Sequence, residues 1–358
     1  MSTTSATTAT PPAVPTLVRP MPVPTARGPL GAALLDVLTG AAEDTVTLRA
    51  TLEQVTTAAP PSWLEDEDVQ HTLLCLYELH YRGLEGVDDA WEWDPCLLTV
   101  RARLERLVEG ELRARVPVPD CEDRTRAGVA ERLFRLPDED DSPSLSRWVS
   151  RRADEEQVRE LLVHKSVYQL KEADPHTWAV PRLGGHAKAA LVEIQADEYG
   201  GGDPERMHHA LFARAMRALG LDDTYGRYVD HVPASTLAAV NVMSLLGLHR
   251  RLRGAIVGHL AAFEMTSSLP NRLYGNGLRR LGHGDEDATW YFDEHVAADA
   301  VHEQIAARDL AGRLAEEEPA LVDDVLWGAA VCLALEGWSG ARTIARWEAG
   351  ESSLRMPL

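Results

Sequence analysis

Apolar residues along the chain recur at three- and four-residue spacing far more often than they alternate with polar ones. Alternating Val, Ile, Thr and aromatic runs between turn residues, the mark of strands, hardly occur. The pattern predicts helices over 31–39, 44–57, 62–81 and 95–111, then one or two over 145–173 and one over 182–199 closed by Gly200, Gly201 and Gly202. Asp203-Pro204-Glu205 reads as a capped helix start, with the helix running to about Leu219. Ser235 would cap a long apolar helix over 236–267, stopped by Pro270. Helices over 271–281, 285–314 and from 318 or 319 to about 350 complete an all-α chain without internal repeats. Residues 1–28, rich in Thr, Ala and Pro, have neither a basic start nor a continuous apolar stretch and are expected to form a disordered tail. Residues 29–140 are expected to form an N-terminal helical part and 141–350 the main bundle, with a modest boundary near 115–145.

Composition narrows the partners. The chain has 358 residues, 45% of them hydrophobic, and a formal net charge of −20. Such acidity argues against nucleic acid or an anionic membrane surface, both of which need a basic face. No apolar run approaches the roughly 20 residues of a membrane span. Cys75, Cys96, Cys121 and Cys332 form no CxxC pair, so a reduced, cytoplasmic protein is expected.

Three places carry candidate chemistry. In the segment from His295 to His302, helical geometry puts His295, Asp299 and His302 on one face, a mixed N/O set suited to iron or manganese, with zinc possible. A solvated face on which histidines and acids fall by chance satisfies the same spacing. Glu198 closes one helix and His208 lies early in the next; the glycine break between them frees both to turn inward, although a glycine-rich loop with an acidic edge reads the same way. Glu264 ends an apolar run, where a buried carboxylate needs a cation or a hydrogen-bonding partner unless the helix end is simply wet. Inward acids and histidines on three helices are what a carboxylate-bridged two-metal site in a bundle requires, with Glu264 or Glu198 as the bridge.

Together with Tyr168–Ala179 and Glu193–Gly200, this triplet resembles the heme-oxygenase-like diiron oxidases and oxygenases, often labelled iron-containing redox enzymes, over roughly 145–345. The resemblance implies a seven-helix heme-oxygenase-like fold, preceded here by extra N-terminal helices, that holds two irons rather than heme. Carried over by position, the ligands are Glu198, His208, Glu264, His295, Asp299 and His302. Members that oxidise nitrogen have one more carboxylate on an earlier helix, and Glu172 falls there; a surface acid at a helix end is its alternative. His209 rivals His208, and the spacing to Glu264 favours His208. Glu78 is read as auxiliary, serving packing or a dimer contact.

The resemblance further implies an O2-activating oxidoreductase of secondary metabolism, with an external electron donor and a homodimeric assembly. The expected reaction is N-oxygenation of a small amine, such as an arylamine, an aminoazole like 2-aminoimidazole, or a guanidine, to a hydroxylamine or nitro product. Oxidative C–C cleavage or desaturation of an amino acid or fatty acid is the alternative. A helical binding protein with a lapsed site and a heme enzyme are the other classes. The carboxylates argue against heme. His164, His176, His186, His249 and His259 lack ligand spacing and are expected to be ordinary core or surface histidines. Tyr168, Trp178 and Phe263 are expected either to pack in the core or to line a substrate pocket.

Overall fold

The structure, a computed structural model, describes residues 19–358. Among the described residues it is helical throughout; an isolated parallel bridge between Met21 and Leu84 is all that stands in for a sheet. The helices are α1 Pro29–Leu38, α2 Val46–Ala58, α3 Glu67–Glu78, α4 Pro95–Arg115, α5 Arg126–Arg135, α6 Leu145–Arg151, α7 Glu155–Gln169, α8 Asp174–Thr177, α9 Gly185–Glu198 and α10 His208–Ala218. They continue with α11 Ala234–Leu248, α12 Arg253–Met265, α13 Ser268–Leu281, α14 Glu286–Gln304, α15 Gly312–Glu317 and α16 Val322–Glu348.

Side-chain caps fix many of the starts. Asp66, Asp94, Thr125, Ser144 and Asp285 each accept a hydrogen bond from a first-turn amide. Asp154 and Gln157 form a reciprocal capping box at α7. The bundle is densest where α12 crosses α16. A Cβ on Gly258 would collide with the Val325 carbonyl, and one on Gly328 with that of Ala255, so only glycine permits this approach. α14 packs on α10 and α13, then widens into a π-helix, Ile305–Ala311, against α9 and α12.

Several elements differ from the sequence expectation. Of the expected tail, residues 1–18 lie outside the described residues. Residues 19–28 run extended: Met21 is buried, exchanges backbone hydrogen bonds with Gly83 and Glu85, and Arg27 pairs with Glu67 at 2.5 Å. The helix expected from Asp203 begins instead at His208, because Asp203 caps only a local turn to Glu205 after three positive-φ glycines. The long helix over 236–267 is two. Arg182 takes the carbonyls of Gly247 and Leu248 at 2.6 and 2.8 Å, which ends α11, and His249 turns extended to meet Glu105 at 2.8 Å. α5, capped by Thr125, falls in a stretch where no helix was expected.

Candidate metal centre

Five pieces of chain converge in the bundle interior. Glu172 follows α7 in a short loop, Glu198 is the last residue of α9 and His208 the first of α10. Glu264 stands one residue from the end of α12, and α14 presents His295, Asp299 and His302 from successive turns. All seven are buried. They form two groups in which one ligand atom per residue lies within 4.8 Å of the others: Glu172, Glu198, His208 and His295, and then Glu198, Glu264, Asp299 and His302. Glu198 belongs to both. His209, next to His208, is in neither group.

The contacts are close but mostly not hydrogen bonds. His208 Nδ1 is 2.9 Å from Glu198 Oε2, and His295 Nε2 is 3.6 Å from Glu172 Oε1. His302 Nδ1 faces Glu264 Oε2 at 3.4 Å and Glu198 Oε1 and Asp299 Oδ1 at 3.7 Å each. Glu172 Oε2, both oxygens of Asp299, His208 Nδ1 and His302 Nδ1 are buried with no hydrogen-bond partner. Orphaned buried polar atoms are rare and costly. Clustered oxygens and imidazole nitrogens of this kind are what a bound cation satisfies, so the residues fit a metal.

The outer atoms of the histidines are held. The Tyr291 carbonyl accepts from His295 Nδ1 at 2.8 Å, which leaves Nε2 toward the centre. Asp197 meets His302 Nε2 at 3.1 Å, which leaves Nδ1 inward. Carboxylate or carbonyl partners of this kind are the usual support of metal-binding imidazoles. Tyr291 also donates its hydroxyl to Glu172 Oε1 at 3.0 Å.

Charge follows from the packing. Burial would raise the Glu198 carboxyl, but His208, His295 and His302 around it pull it down to about 2. Burial, with Glu198 and Asp299 nearby, lifts Glu264 to about 7 despite His302. Burial would lower the histidines; Glu172, Asp299 and Glu198 instead raise His295 to about 10, and Glu264, Asp197 and Glu198 raise His302 to about 9. In the metal-free centre, protons therefore sit where cations would.

Residues 159–337 match the sequence pattern of a family described as iron-containing redox enzymes. The chain belongs to this family. Its helical architecture is accordingly heme-oxygenase-like, and the two buried ligand groups fit the binding of iron that the family description names. This iron-containing redox enzyme is also 32% identical over 149 residues to a nitrosourea synthase of Streptomyces achromogenes subsp. streptozoticus. That match covers 41% of the chain and 31% of the relative's length. The family marks an oxidoreductase. No described helix is long and apolar enough to cross a membrane.

Tyr168 and Phe263 wall a small cavity between the two ligand groups, whereas Trp178 packs edge-on against Tyr81, 6.4 Å away. A second cavity of about 360 Å³ is lined by the buried Glu172 and Tyr291, the half-buried Phe263 and Ser267, and the exposed Arg147 and Glu336. The histidines expected to be unrelated include a pair: His176 Nε2 lies 3.1 Å from His259 Nδ1, and His176 lines the small cavity. Sequence reasoning did not find Tyr291 or Asp197. Their only local signals were their places one helical turn before His295 and immediately before Glu198.

Proposed function

We propose that this enzyme holds two iron ions, one in each ligand group, and uses O2 to oxygenate the nitrogen of a small amine. The product would be a hydroxylamine or, after further turnover, a nitro compound. The observation that carries the reading is Glu172: a buried carboxylate with one free oxygen, in contact with His295 and grouped with Glu198 and His208. It completes a set of four carboxylates, Glu172, Glu198, Glu264 and Asp299, whose four negative charges two divalent cations would balance, with His208, His295 and His302 as neutral donors. The relative's name supports nitrogen as the atom oxidised.

When bound, the iron pair would supply the Lewis acidity and electrons that make O2 reactive. The protein does the rest. Tyr291 and Asp197 aim the histidines inward, and Tyr291 holds Glu172 by the oxygen nearest His295, leaving the other buried and without a hydrogen-bond partner. Tyr168, Leu260 and Phe263 keep bulk water from the space between the groups. The 360 Å³ cavity offers a small arylamine, aminoazole or guanidine a way from solvent to the Glu172 side. Net conversion of R–NH2 and O2 to R–NHOH and H2O needs two electrons and two protons, so an external donor is required.

The test is anaerobic Fe(II) titration, then mixing with O2 and an amine panel, with products read by mass spectrometry. Uptake near two irons per chain and a gain of one or more oxygen atoms on nitrogen are expected. Uptake of no iron, or oxygen reaching carbon only, would overturn the proposal.

A further inference from the structure

Lys171 and Glu172 are adjacent, yet their side chains go opposite ways. Glu172 turns into the centre, where Tyr291 donates to it at 3.0 Å. Lys171, 1% exposed, turns back to α3 and donates to Glu78 Oε2 at 3.1 Å across a sequence separation of 93 residues. Glu78 is fully buried, and the Tyr225 hydroxyl donates to its two oxygens at 2.8 and 2.7 Å. The Lys171 ammonium also lies over the Tyr81 ring at 4.3 Å, and Arg82 donates to the Leu170 carbonyl at 2.8 Å.

The backbone here needs holding. Ala173 has φ +73°, a left-handed conformation a residue with a Cβ adopts only when its surroundings impose it. Gln195 takes the Ala173 carbonyl at 2.9 Å, which anchors the far side of the loop. On the near side the anchors are Arg82 and the Lys171–Glu78 pair, both on residues from the end of α3 onward. A buried ion pair is weak evidence for stability, since apolar side chains of similar volume often replace one without loss. What it provides is position: a charged group out of water is tied to one partner in one place.

We propose that Glu78 and Lys171 are positioning residues for Glu172, so that the end of α3 forms part of the scaffold of one metal position and not of the other. The inference rests on the two-metal reading above, in which Glu172 serves the Glu198/His208/His295 group alone. A purely structural pair would, when lost, weaken both positions together. A positioning pair would weaken one.

The experiment compares full-length wild type with Lys171→Met, with Glu78→Gln/Lys171→Met, which leaves no lone buried charge, and with the mild Tyr225→Phe. Fe(II) titration followed by spectroscopy that resolves the two positions should show the Glu172 position weakened about tenfold or more in the first two variants and less in Tyr225→Phe, with the other position within twofold of wild type. Equal loss at both positions, or no loss at either, would overturn the proposal. Hydrogen exchange of the metal-free protein is a second readout that needs no iron. Faster exchange confined to peptides spanning 168–178 in the variants is expected, and unchanged exchange there would also overturn it. Wild type that takes up no iron would defeat the two-metal reading while leaving the exchange result to stand or fall alone.

Discussion

Glu198 is the side chain common to both ligand groups, and Glu172 belongs to one. Glu198→Ala should therefore abolish binding at both positions, whereas Glu172→Ala should remove the first and spare the second; metal content by elemental analysis after anaerobic loading and desalting distinguishes the two. Asp197→Asn keeps a polar group beside His302 Nε2 but removes the charge, and should weaken iron at the second position by about tenfold. Because His295 and His302 are raised to about 10 and 9 and Glu264 to about 7, metal must displace protons from them. Iron affinity should climb as pH rises from about 6 to 9, and loading in weak buffer should acidify the solution; a flat affinity would deny that these atoms bind the metal. At this scale the sequence was readable where spacing alone makes neighbours, as in His295, Asp299 and His302. Glu172 was reached by resemblance only. Tyr291 and Asp197 were missed because each acts on a group whose own role had first to be known.

Helix existence was legible from periodicity, and helix ends were legible only when the stop lay in the local sequence. Nothing near Gly247 says that α11 ends there, because the group that caps its last carbonyls is Arg182, more than sixty residues earlier. Arg182→Met should leave two carbonyls without their donor and cost about 1–3 kcal/mol, seen as a lower denaturation midpoint. The same distance effect hid the start of α10, where Asp203 and Pro204 look like a helix start but serve a turn. The glycines at the α12–α16 crossing carry a sharper expectation. Gly328→Ala drives a methyl group into the Ala255 carbonyl and should cost about 1–3 kcal/mol, lowering the melting temperature by several degrees. An unchanged melting temperature would mean the helices can part at no cost.

Across the whole molecule, the acidic surface and the buried histidines set the response to pH. His71 and His176 are held down to about 4 and His259 well below its usual value, in each case chiefly by burial. They are neutral when folded and take protons below about 6.5 only on unfolding. The stability they confer is present above pH 6.5 and is lost as pH falls toward 4, at about 1.4 kcal/mol per proton and pH unit. In the metal-free chain, His295 and His302 act in the opposite sense: their contribution is present below 6.5 and lost as pH rises through 9 to 10. Urea denaturation of the metal-free protein at pH 4.5, 7 and 10 should therefore give its highest midpoint at pH 7. The all-helical class was readable at this scale from periodicity alone, whereas the Glu78–Lys171 pair that ties α3 to the loop carrying Glu172 was not, since it joins residues far apart in the chain.

The π-helix that follows His302 bears on how this chain tolerates a change in length. A wide turn of this kind takes in more residues than an α turn does. Excising one residue from 305–311 can thus be absorbed by a return to α pitch, leaving His302 upstream and Leu314 downstream facing as they do now. The same excision between His295 and His302 would swing one histidine about 100° away from the other. A single helix thus contains one stretch where the loss of a residue is survivable and, a few residues earlier, one where it is not.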